Sequence, residues 1–367
     1  MDAMQAWLRA DRPSMIDGVA LLPRTSEGAA NLPRCTVSET AISYHLFDKN
    51  DDGWILKKFM PDWQPDLTRI QTTQYVIPRM PGFKSGFDQR VLDETSLSPA
   101  GYHTEELQTW LINAVLVPEV TGSTWSDVAD SIRAGGQSLS TIVKLLLCQK
   151  LSERVEWLES AGVAHRNLSA TSVLIDPLNV EVHFVDWEHL FHPSLSKPAS
   201  TTSECVGYIA PFVRPDAGAD ATWRARADRF ALAVLNCEIL LTNGDSPVTT
   251  GGGLLEQQHI FDRAGQTLQR LRSALQQNSP AALKLFDQCL TASNFDQCPG
   301  PREWLALIER ELNNDAEKAW DEPLPAAEQT QSIYDPPQEP GFVRIKESAF
   351  VKINRAAFVS APRSRRY

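Results

Sequence analysis

Three short stretches of the 367-residue chain hold side chains that could do chemistry. "WILKKF" places Lys57 and Lys58 at the end of an apolar run, and "VHFVDWEHL" sets Asp186 and Glu188 on either side of Trp187. Between them, "AGVAHRNLSATSVLI" puts His165, Arg166 and Asn167 ahead of the hydroxyls of Ser169 and Ser172, with no carboxylate. An arginine can pair with a phosphate or a carboxylate. Two carboxylates as close as Asp186 and Glu188 repel unless a cation sits between them. Asn167 is an amide: it can hydrogen-bond a hydroxyl, but it carries no charge and takes up no proton at neutral pH. Each stretch also has a plain reading, as a solvated strand lysine, a chance tripeptide or a chance acidic pair. The six cysteines are scattered, with no C-x-x-C pair and no histidine at ligand spacing, which argues against a zinc site.

The elements that must carry these residues change character along the chain. "AISYHLF" and "WILKKFM" are β-prone runs around "DKNDDG", a hairpin signal. "QRVLDE" and "WLINAVLVPEV" read as further strand, while the proline-punctuated first forty residues read as loosely structured. "STIVKLLLCQKLSERVEWLESAG" then has helical spacing and ends at Gly162. "ADRFALAVLNCEILL" is apolar on nearly every side and predicts a helix inside the core. "PAALKLFDQCL" and "PREWLALIEREL" are amphipathic, with proline at the first helical turn. Strands followed by helices make an α+β plan with a cleft expected between the two parts.

Composition narrows the class. With 42% hydrophobic and 22% charged residues, the chain has the make-up of a soluble globular protein. It shows no apolar run of membrane-spanning length and no secretory signal at its N-terminus, so the expected location is cytoplasmic with no membrane partner. A net charge of −11 argues against nucleic acid as a partner. Near the end, "WDEPLPAAEQTQSIYDPPQEP" is acidic and proline-rich, and "GFVRIKESAF" to "APRSRRY" is basic. The near-repeat "FVRIKESA", "FVKINRAA" reads as a segment that binds a partner or adds a strand to one, against the plainer reading of a solvated basic tail.

In order and spacing, these stretches resemble the protein-kinase family from about residue 37 to 312. "WILKKF" is similar to the V-A-I-K strand, "LVPEV" to the hinge, "HRNLSATSVLI" to H-R-D-L-x-x-x-N, "VDWE" to D-F-G and "GYIAPF" to A-P-E. "DRFALAV" with "PREW" is especially like bacterial kinase-like proteins of the tellurite-resistance-type phosphorylation triad. The resemblance implies a bilobal fold: an extension at 1–36, a strand-rich N-lobe at 37–120, a helical C-lobe at 121–320, an acidic linker at 321–340 and a basic tail at 341–367. It implies ATP with magnesium as cofactor, Lys57 on the phosphates, Glu119 at the adenine-facing backbone, and Asp186 with Ser172 on the metal. Asn167, Arg166 and Ser169 fall in the catalytic loop, and Asp228 falls where a buried carboxylate holds that loop. The partners it implies are a von Willebrand A-domain protein and a metal-dependent protein phosphatase.

The departures from the family pattern all weaken one reaction. Asn167 replaces the aspartate that accepts the substrate proton, a loss of about 10²–10⁴ in rate for a general base. Ser172 replaces the metal-binding asparagine, and Ser169 replaces a lysine. "TVSETAISY", where a glycine-rich phosphate loop would lie, contains no glycine, and no glutamate lies between Lys57 and Asp93 to pair with the lysine. Gln71 and Gln74 are the nearest stand-ins. Glu188 replaces the D-F-G glycine, which reads as a second metal ligand or a locked segment. Phe212 stands for the A-P-E glutamate, leaving Arg302 to find another acceptor. The expectation is a pseudokinase that binds and regulates proteins, with a site that holds ATP or nothing. The alternative is an active, atypical ATP-dependent kinase or transferase.

Overall fold

The structure is a computed structural model. It describes Trp7, residues 13–26, 29–38, 40–63, 65–97, 105–197, 207–213, 222–242, positions 259, 260 and 262, and 265–321. The repeat tail, the linker and most of the serine- and threonine-rich segment after Lys197 lie outside the described residues.

The chain has a mixed α+β architecture. Its main sheet is seven-stranded and antiparallel, in the order β1 (Ser14–Ile16), β2 (Val19–Pro23), β6 (Ala41–Phe47), β7 (Gly53–Phe59), β9 (Val115–Pro118) and β8 (Arg90–Val91), with β5 (Cys35–Val37) also paired to β6. A small antiparallel pair, β3 (Thr25–Ser26) with β4 (Ala29–Pro33), stands beside it. The β6–β7 hairpin forms where the Asn/Asp/Gly signal puts it, in register from Ala41↔Phe59 to Phe47↔Gly53. The first forty residues depart from the expectation of loose structure. Ile16 pairs with Val19 across Asp17-Gly18, both with positive φ, which is the geometry of a two-residue hairpin turn.

The helices α1 (Leu67–Val76) and α2 (Lys84–Phe87) lie between β7 and β8, and α3 (Glu105–Leu111) between β8 and β9. Leu107 and Leu111 of α3 bury with Leu56, Leu46, Ile16 and Trp7 on one face of the sheet. Ile70 of α1 buries with Phe59, Ala41 and Val115 on the other. Because strand side chains alternate, the neighbours Lys57 and Lys58 must point to opposite faces. Lys58 reaches the Ile112 carbonyl at 2.8 Å beside the Trp110 ring. Lys57 therefore faces the α1 side.

The rest is helical around a three-stranded sheet of β10 (Ser123–Thr124), β11 (Val173–Asp176) and β12 (Glu181–Phe184). Helix α4 (Trp125–Arg133) starts on a Thr124 cap, and α5 (Thr141–Ser160) on a Ser140 cap that accepts from the Val143 N–H. Gly162, at φ 72°, follows the end of α5. Helix α6 (Arg229–Leu241) is buried on almost every side, and α7 (Gln266–Asn278), α8 (Pro280–Thr291) and α9 (Pro301–Asp321) follow it among the described residues. None of the helices described is long and apolar enough to cross a membrane.

Candidate functional site

Lys57 and Asp186 are 129 positions apart, and the fold joins them with Lys57 Nζ 2.6 Å from Asp186 Oδ1. Lys57 also donates to Glu188 Oε1. Burial alone would lower the lysine's proton affinity. The fields and hydrogen bonds of the two carboxylates more than reverse this, and its pKa is raised. Burial works against the charged form of Asp186 as well, yet Lys57 leaves its pKa lowered. The carboxylates differ in access: the Asp186 side chain is 38% exposed and that of Glu188 is 10% exposed. Glu188 thus gives Lys57 a glutamate partner from outside the stretch between Lys57 and Asp93, which holds none. Gln71 is exposed and Gln74 half-buried on α1, and Lys57 pairs with neither.

Helix α1 turns Arg69 inward together with Ile70 and Thr73, and Arg69 is 4% exposed. Its guanidinium donates to the carbonyls of Glu188, Leu190 and, at 3.0 Å, Ser196. One planar fork thereby ties α1 to the segment after Asp186. That segment is further fixed by Trp187. The indole N–H donates to the Phe184 carbonyl at 3.1 Å and the Ser85 hydroxyl at 3.2 Å, and the ring packs on His165 and Phe83. A Cβ on Gly86 would lie 2.7 Å from the Trp187 ring, so that close approach depends on glycine. Asp186 itself has φ 65°, an uncommon conformation outside glycine that this packing holds in place.

The loop from His165 to Ser172 is built around Asp228 at the start of α6. Asp228 is 2% exposed and accepts from the backbone N–H of His165 at 2.6 Å and of Arg166 at 2.7 Å. Burial pushes its carboxyl up to about 6, and those two bonds hold it from going further. His165 is fully buried with Nε2 2.9 Å from the Val185 carbonyl, and burial takes its pKa down to about 4. Arg166 has φ 63° and donates to the carbonyls of His189 and Thr222 at 2.9 Å and to the Thr222 hydroxyl at 2.7 Å. Its guanidinium and that of Arg69 both lie over the ring of Trp223. Burial, then the Arg69 charge, brings the Arg166 pKa down to about 10.

Ser172 and Ser169 sit inside the loop. The Ser172 hydroxyl, 1% exposed, donates to the Asn167 carbonyl and accepts from the Ser169 N–H at 3.0 Å. Ser169, 4% exposed, shares its hydroxyl with Thr171 at 3.0 Å. Both hydroxyls thus have their partners within the loop. Asn167 is half-buried in the same loop.

Glu119 lies away from this cluster. Its N–H donates to the Gly53 carbonyl at 3.0 Å and its Oε1 is 2.7 Å from His45 Nδ1, a bond that lowers the Glu119 pKa. This backbone donor continues the β7–β9 ladder. Phe212 packs edge-on against Phe295 at 4.8 Å, and Arg302 takes Glu156 as its acceptor at 2.8 Å. At the stretch expected to hold phosphates, the Ser38 hydroxyl accepts from the Ala41 N–H at 3.0 Å and closes a tight β5–β6 turn.

The implied magnesium does not fit the donors as arranged. Ser172 is turned inward, Asp186 is engaged by Lys57, and no cluster of three His, Cys, Asp or Glu side chains among the described residues could hold a metal. Comparison with protein-family models finds no match, and comparison with curated proteins finds none either.

Two residues of the cluster, Arg69 and Trp223, fall outside the stretches that the sequence points to. Arg69 lies with Ile70 and Thr73 on the buried stripe of α1, too short a pattern to be read from the sequence.

Proposed function

We propose that the chain is a kinase-fold pseudokinase, a bilobal protein that binds and regulates other proteins in bacterial phosphosignalling with little or no phosphoryl transfer. The observation that carries this reading is the contrast between Lys57 paired to Asp186 at 2.6 Å and a neighbouring loop whose candidate base is the amide Asn167. Phosphoryl transfer depends on positioning, charge neutralisation and a group that receives the hydroxyl proton. Here the positioning framework around Asp228 is intact. The neutralising groups face one another, and the proton acceptor is missing. Protein partners follow from what remains: a folded platform and a basic segment after an acidic linker, with a von Willebrand A-domain protein and a metal-dependent phosphatase as the partners the resemblance offers.

The second reading, an active atypical ATP-dependent transferase, is favoured by one observation: Lys57 and Asp186 are both kept and brought together. Calorimetry with ATP, with and without magnesium or manganese, and radiolabel transfer to the chain itself and to a generic protein substrate separate the two. The pseudokinase reading predicts weak or no nucleotide binding and no transfer above background. Transfer that Asp186→Ala abolishes would replace it with the second reading.

A further inference from the structure

A lysine that serves an anionic ligand is normally available to it. In this chain Lys57 already has two carboxylate partners, and the less exposed of them, Glu188, is carried on a short 3-10 turn, Trp187–His189. The turn is clamped at several points. Arg69 binds the Glu188 and Leu190 carbonyls, the Trp187 indole is bonded to Ser85 and Phe184, and Arg166 binds the His189 carbonyl. Lys57 and its two carboxylates sum to −1 when ionised (+1 − 1 − 1), and the Arg69 guanidinium on the Glu188 carbonyl brings the local sum to zero, so Lys57 has no uncompensated charge to offer a polyphosphate.

From this arrangement we infer that Glu188 is an internal counter-anion, occupying on Lys57 the place that a phosphate-bearing ligand would take and closing the site until it is displaced. This deepens the proposed function and rests on its kinase-fold reading, under which the resemblance implies Lys57 on the phosphates. It also explains how the fold keeps a buried lysine without the helix glutamate. The second carboxylate that compensates Lys57 comes from the segment after Asp186, so removing it releases one of the lysine's two anionic partners while Asp186 still positions it.

The test compares the full-length wild type with Glu188→Gln, Lys57→Met and the double variant. Each is checked for an unchanged circular dichroism spectrum and titrated calorimetrically with inorganic tripolyphosphate and with ATP. A site closed about nine-tenths of the time has its apparent affinity reduced about tenfold, so Glu188→Gln is expected to bind tripolyphosphate about tenfold more tightly than wild type. The gain should vanish in the Lys57→Met/Glu188→Gln double variant, because the released lysine is its source. Equal affinity of wild type and Glu188→Gln, weaker binding by Glu188→Gln, or no binding by either overturns the inference. So does a gain that survives Lys57→Met. A gain for tripolyphosphate with none beyond it for ATP keeps the counter-anion and removes the nucleotide from the proposed function. Tight ATP binding by wild type, unchanged in Glu188→Gln, does the reverse.

Discussion

Asp228 and Glu188 are both shielded carboxylates, and they are satisfied in opposite ways. Asp228 takes two backbone N–H groups and fixes the path of the chain through His165 and Arg166, whatever side chains that loop carries. Glu188 takes a side-chain cation, Lys57, and so consumes a charge that could otherwise meet a ligand. The first arrangement is indifferent to which side chain the loop carries at Asn167. The second depends on which side chains are present. A fold can therefore keep the shape of a reactive loop while its charges neutralise one another, and the shape and the chemistry should fail separately on mutation.

The largest effect is expected at the backbone clamp. Asp228→Ala orphans two buried N–H groups at about 1–3 kcal/mol each, so a loss of about 2–6 kcal/mol is expected in urea denaturation, with Asp228→Asn less severe because the amide oxygen still accepts. Acid should act next. His165 and His189 are held neutral by burial with pKa values of about 4, against 6.5 for the free side chain. An unfolded chain binds those protons first, so their contribution is present above pH 6.5 and is lost as pH falls from 6.5 to 4, by about 3 kcal/mol apiece. Asp228, raised from 3.8 to about 6, acts the other way over that range and offsets about one of the two. The midpoint of denaturation should therefore fall between pH 6.5 and 4, and a midpoint that rises would contradict the burial of these rings. Gly86→Ala, which drives a methyl into the Trp187 ring, is expected to cost about 1–3 kcal/mol and to disturb the charge cluster more than the Asp228 loop. Smallest of all, Arg302→Ala removes a pair in which the arginine is 79% exposed, and should change stability by under about 1 kcal/mol.

Local chemistry made part of this fold legible. The "DKNDDG" turn fixes β6–β7, the apolar spacing gives α5, α6 and α8, and the proline in "PREW" marks the start of α9. The "DG" of Ile16–Val19 carried an equally local signal, which the surrounding prolines obscured, so β1 and β2 were read as loose. Helices α1 to α3 were missed for another reason: they are short, and α1 and α3 bury only a few residues each, too few for a clear periodicity. At the site, residue types were readable and pairings were not. That Lys57 would choose Glu188, 131 positions away, over a residue of the nearest helix depends on how two distant segments meet. The inward turn of Ser172 likewise follows from its bond to the Asn167 carbonyl, which the spacing of a motif does not encode.

Radiolabel transfer from ATP by the purified full-length chain, with magnesium and with manganese, tests most directly whether an amide in this loop leaves the reaction without a proton acceptor. No transfer above background is expected, and Asn167→Asp alone should not restore it, because Ser172 remains turned into the loop and Glu188 remains on Lys57. Turnover at ordinary kinase rates, on the order of 1–100 s⁻¹, would contradict the account.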